Sequence, residues 1–139
     1  MNSPRRKSAP SSRPAAQETE ITAFVAQLEH PLKSGILAVR KTILGVDRSI
    51  TDGVKWNSIS FRTTEYFATV HLRSHDRVQI VFHFGAKTRG RAPLDVAAPV
   101  GLVRWLAKDR VLFTAGVGVE LKRNLPALAG FVRQWIAHV

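Results

Sequence analysis

The chain has 139 residues, 45% hydrophobic and 22% charged, with 21 basic side chains against 10 acidic ones for a net charge of +11. It has no cysteine, which excludes disulfides, thiolate metal sites, iron–sulfur ligation and cysteine nucleophiles. The length suits one domain with its own core, and every apolar stretch falls far short of the roughly 18 residues that span a bilayer.

Residues 1–17 carry Arg5, Arg6, Lys7 and Arg13, three prolines and no acid. Such a stretch cannot bury enough apolar area to offset its ordering entropy, so a disordered basic tail is expected there. It has no apolar export segment, and with the absence of cysteine this points to the cytoplasm. The remainder, 18–139, is expected to form a single domain.

A first helix is expected over 18–29, where Ile21, Phe24, Val25 and Leu28 recur at one-face spacing. Pro31 breaks it, and a second helix should run over 31–44. Leu32, Ile36, Val39 and Ile43 form its core stripe, Lys33, Arg40 and Lys41 face water, and Gly45 ends it. Residues 47–53 read as a turn or a single helical turn.

The pattern then changes to period two. After a strand over 58–62, Tyr66, Ala68, Val70 and Leu72 alternate with Phe67, Thr69, His71 and Arg73. In the next strand Val78, Ile80, Phe82 and Phe84 alternate with Gln79, Val81 and His83. Placing both apolar sets on one face requires Val70 to face either Ile80 or Phe82. An irregular segment over 85–99 holds Lys87, Arg89 and Arg91. A strand pair over 103–107 and 110–115 follows, with its turn at Lys108-Asp109. A last helix, capped by Asn124 with Pro126 in its first turn, carries Leu125, Leu128, Val132, Trp135 and Ile136 inward. Helices flanking a run of strands make the class α+β, an antiparallel sheet packed by N-terminal and C-terminal helices.

No phosphate-loop, dinucleotide, zinc-protease or serine-hydrolase motif occurs, and no close pair of carboxylates suggests acid–base work. His71 and His83 share the non-core face of adjacent strands. In one register they are diagonal neighbours, within reach of a shared metal, yet no acid joins them to complete a ligand set, so neither a metal nor a cofactor is assigned. Lys55-Trp56-Asn57, followed by Phe61, combines an indole, a cation and an amide, the residue types of a ligand pocket. Packing under the sheet edge is the simpler expectation for Trp56, as it is for Trp105 and Trp135. The Lys87–Arg91 run could hold phosphate, and is also what a solvated loop looks like.

Several segments together resemble the YdhG-like family. They are residues 36–44, Lys55-Trp56-Asn57-Ser58-Ile59-Ser60-Phe61, Val81-Phe82-His83-Phe84-Gly85-Ala86-Lys87, Trp105, and Val132-Arg133-Gln134-Trp135-Ile136. The resemblance covers about residues 20–138 and departs at Ile59, where that family usually has proline. It implies a compact α+β domain, names no catalytic residue, and leaves the biochemical role open. One branch is described as a frataxin-like iron chaperone, which holds iron with surface acids. Here the first two helices offer only Glu18, Glu20 and Glu29, while Arg40 and Lys41 oppose a cation, so the iron role does not transfer.

The expectation is therefore a non-enzymatic binding domain for a small molecule or protein partner, without membrane insertion. Its ligand would sit near Lys55, Trp56, Phe61, His71, His83 and Lys87. The alternative is a basic accessory protein that touches nucleic acid weakly through Arg5, Arg6 and Lys7. A metal chaperone is the third reading, disfavoured by the basic surface.

Overall fold

A computed structural model describes residues 15–84 and 101–139. Arg5, Arg6 and Lys7, with the tail up to residue 14, lie outside the described residues, as does the segment with Lys87, Arg89 and Arg91. Helix α1 (Ala15–Gln27) begins three residues inside the expected tail. Helix α2 (Lys33–Leu44) follows the break at Pro31 and ends before Gly45. Strands β1 (Thr51–Lys55), β2 (Ser58–Arg62), β3 (Tyr66–Val70) and β4 (Val78–Phe82) come next. Strands β5 (Val103–Ala107) and β6 (Arg110–Gly116) precede helix α3 (Gly118–Ile136). The class is α+β.

The six strands form one sheet in the order β1-β2-β3-β4-β6-β5, and every neighbouring pair is antiparallel. The register of the central hairpin pairs Val70 with Ile80 and Ala68 with Phe82, the first of the two options that parity allows. One face carries Ile59, Phe61, Val70, Ile80, Phe82 and Phe113, all buried under α2 and α3. Ile36, Val39 and Ile43 of α2 meet them, with Leu128, Phe131, Val132 and Trp135 of α3. Phe82 is the hub: its ring lies 4.9 Å from Phe131 and 5.7 Å from Trp135, at the angled geometry aromatic pairs prefer.

Four expectations need correction. Residues 51–55 form the edge strand β1 and not a turn, because the Lys55–Ser58 pair closes a tight hairpin with β2. Arg40 faces water only in part: its side chain is 27% exposed, and its Nε–H donates to the carboxylate of Asp52 at 2.5 Å, with Asp52 fully buried on the core face of β1. Helix α3 starts at Gly118 and not at Asn124, because Leu121 extends the apolar stripe one turn back and is buried. Asn124 instead donates its side-chain amide to the carbonyl of Ala115. Trp105 lies at the margin of the core, 42% exposed, with its ring 6.3 Å from that of Trp135.

Gly35 shows how closely the helical layer fits. A Cβ there would lie 2.9 Å from the Leu121 side chain and 3.1 Å from Val78, so α2 and α3 approach only because that position has no side chain.

Candidate functional site

The opposite face of the sheet is built from Ser58, Ser60 and Arg62 on β2, Thr69 on β3, Val81 on β4, and Leu112 and Arg104 beyond, as the registers require. A β-bulge adds one residue to it. Phe61 pairs with Ala68 but Arg62 pairs with Tyr66, so Phe67 is extra and the alternation slips by one. Phe67 is fully buried and Tyr66 moves to this second face, where the Arg62 guanidinium lies 5.1 Å from its ring centre. Period-two reading puts Tyr66 in the core, and the bulge reverses that.

Trp56 and Asn57 are the two central residues of the β1–β2 hairpin, with φ of 53° and 58°. A two-residue loop with both central residues left-handed is a type I′ turn, whose preferred sequence is Asn-Gly. Asn57 tolerates that conformation; an indole-bearing residue is a genuine outlier in it. The hairpin tip reaches back over the sheet, and Trp56 meets His83 at 5.1 Å between ring centres and 87° between planes. It meets Tyr66 at 5.9 Å and 75°. The indole remains 51% exposed, so the expectation that Trp56 packs as core is overturned.

Between the hairpin tip and the sheet lies a cleft of about 770 Å³. Trp56, Asn57 and Ser58 form one wall, and Thr69, Val81 and His83 the floor. His71, Arg73 and His75 stand at the end nearest the β3–β4 turn, and Arg110 joins from the start of β6. Among the described residues no aspartate or glutamate lines the cleft, and Arg73 and Arg110 give this lining a cationic character.

His83 is held by a chain of hydroxyls. Ser60 donates its hydroxyl proton to the carbonyl of Lys55 at 3.1 Å. Thr69 must then donate to Ser60, at 3.0 Å, which leaves the Thr69 oxygen to accept from His83 Nε2, also at 3.0 Å. The proton of neutral His83 therefore sits on Nε2 and the lone pair on Nδ1. Its backbone is fixed as well, because the Trp135 indole N–H donates to the His83 carbonyl at 3.0 Å. Burial, reinforced by the Arg110 guanidinium, lowers the pKa of His83 to about 4. At neutral pH the ring is an uncharged part of the floor and the arginines carry the charge.

This shift has a consequence for stability. A group whose folded pKa lies below its unfolded value of 6.5 binds its proton more readily when unfolded, so stability falls as pH drops from about 6.5 to about 4. The loss through this group is about 3 kcal/mol across that window. Urea unfolding at pH 7 and pH 4.5 should show it in the native chain and not in His83→Gln. Equal pH dependence in both would refute the assignment.

The expected site residues separate as follows. Trp56, His71 and His83 line the cleft. Lys55 stands at its rim, with Nζ 5.6 Å from the Trp56 ring centre and 5.9 Å from that of Tyr66. Phe61 is not a site residue: it is fully buried on the core face, because strand alternation sends Ser60 and Arg62 to the cleft side in its place. Lys87 lies outside the described residues. His71 and His83 are four positions apart along the ladder, since the His71 amide bonds to Gln79, which removes the diagonal pairing a shared metal would need. Among the described residues no three His, Cys, Asp or Glu side chains gather as metal ligands. Sequence reasoning missed Tyr66, Arg73, His75 and Arg110. Arg73 and His75 follow from the hairpin register, while nothing in the sequence marks the bulge that turns Tyr66 outward.

Compared with family models, with curated proteins and with solved structures, the chain finds no match in any of the three.

Proposed function

We propose that this chain is a YdhG-like, non-enzymatic binding domain of the cytoplasm that takes an anionic ligand with a planar group into the cleft beneath Trp56. The observation that carries this reading is Trp56 itself. A large aromatic occupies a left-handed turn position where asparagine or glycine would cost less, and half its surface is open to solvent. Strain of this kind, of order 1–3 kcal/mol, persists where surrounding structure imposes it, and such residues cluster at ligand sites. The rings of His83 and Tyr66 hold the indole in place, and the cationic lining supplies charge complementarity for an anion. Among the described residues no helix is long and apolar enough to cross a membrane.

Trp56→Asn should separate folding from binding. The variant is expected to be more stable by about 1 kcal/mol, because it restores a residue suited to the turn. It should lose affinity for the ligand. The test is amide-resolved NMR with a library of nucleotides, aromatic acids and sugar phosphates, on the native chain and the variant. Shifts should gather at Trp56, Thr69, His71 and His83 and vanish in Trp56→Asn. Shifts confined to residues 1–14, or none with any anion at millimolar concentration, would overturn the reading.

A further inference from the structure

The cleft is longer than a single small anion requires. His71 stands level with Gln79, and His83, just past the end of β4, lies four residues further along the chain, a span of about 13 Å at strand spacing. Arg110 flanks the His83 end, since the pairing of Phe82 with Val111 places it across from His83. Arg73 and His75 lie beyond His71 at the other end. Cationic groups therefore bracket both ends, while the half-exposed indole covers the space near His83. Arg104 and Arg62 extend the positive character over the same sheet face.

We infer that the occupant of this cleft is a short single-stranded run of nucleic acid, with one base stacked on Trp56 and its backbone phosphates met by Arg110 at one end and Arg73 at the other. The inference rests on the anion-binding reading above and deepens it. At about 3.4 Å per stacked nucleotide, 13 Å accommodates roughly four of them. A single strand fits where a duplex does not, because an aromatic platform needs a base whose ring face is free. A lining with arginines at both ends and no acid among the described residues, on a chain of net charge +11, matches a polyanion. The neutral state of His83 suits this arrangement, since a base beside it meets an uncharged ring while the phosphates meet guanidinium groups.

The experiment is fluorescence anisotropy of a labelled oligothymidylate of about eight nucleotides with the full chain, which retains its basic tail in every variant. Competitors are thymidine monophosphate, a duplex of equal length, and oligoglutamate of equal charge. The oligonucleotide should bind at least ten-fold more tightly than any competitor. Trp56→Asn should weaken it about ten-fold or more, as loss of one stacked base does. Trp105→Phe, at the margin of the core on the other side of the sheet, should leave it unchanged. Arg73→Gln with Arg110→Gln should reduce the slope of log affinity against log salt by about 1.4, two phosphates' worth on a single strand.

Equal binding of thymidine monophosphate would overturn the oligonucleotide and leave the small-anion reading in place. Equal binding of duplex or oligoglutamate, with no effect of Trp56→Asn, would show binding by charge alone and overturn the inference. No binding of any anion would overturn both readings.

Discussion

Arg40→Ala is expected to destabilise the fold by about 3–5 kcal/mol, among the largest effects of any single change in this chain. Asp52 is fully buried on the core face of β1, and the Arg40 guanidinium of α2 meets its carboxylate at 2.5 Å. Removing the cation leaves a carboxylate in low dielectric without that compensation. The pair as a whole contributes far less than its rupture costs, because desolvating both charges offsets most of their attraction. Arg40→Met combined with Asp52→Leu should therefore lie near the native stability. Urea unfolding of the two variants decides the matter, and a loss below about 1 kcal/mol for Arg40→Ala would contradict this account.

Trp135→Ala should cost about 3–5 kcal/mol through lost burial and the cavity left behind. The indole is fully buried, stacks on Phe84 at 4.8 Å, and touches Phe82 and Phe131. It also donates to the His83 carbonyl, so the same change frees the strand end that supports the floor of the cleft. Trp135→Phe keeps most of the packing and loses that hydrogen bond, worth about 1 kcal/mol. In the phenylalanine variant the NMR amide signals of His83 and Trp56 should shift while the helices keep theirs. Thermal melts that place both variants at the native midpoint would refute the structural role of Trp135.

The α+β class, both amphipathic hairpin strands, their register parity and the β5–β6 pair were legible because each rests on period-two alternation or on a one-face helical stripe. Strand β1 was not legible. Its five residues include Asp52 facing the core and Gly53, so its polarity runs against the alternation rule, and the Arg40 guanidinium that meets Asp52 there comes from 12 residues upstream. The turn after it carries no sequence signal, because type I′ turns announce themselves as Asn-Gly, whereas this one reads Trp-Asn. Pro126 drew the start of α3 too far along the chain. A proline at the ninth position of a helix breaks the local rule, and the packing of Leu121 against α2 overrides it. Of the candidate site, Trp56 and His83 could be named from residue type and face alone. Their contact could not, since it depends on the hairpin tip reaching back over the sheet.

The two margins of the sheet have a bearing on whether copies of this chain stay apart. At the β1 margin the Gln17 side chain of α1 donates to the Asp52 carbonyl at 2.9 Å, so a backbone acceptor that another strand could recruit is already occupied. At the β5 margin, the other edge of the sheet among the described residues, Trp105 and Leu106 are 42% and 47% exposed, which favours edge-to-edge pairing between copies. Arg104 within that strand and the net charge of +11 oppose it by repulsion. Repulsion of this kind is screened by salt, so added electrolyte weakens the barrier to fibre-like association through β5. The positive charge that attracts a polyanion thus also acts as the colloidal guard of an adhesive edge.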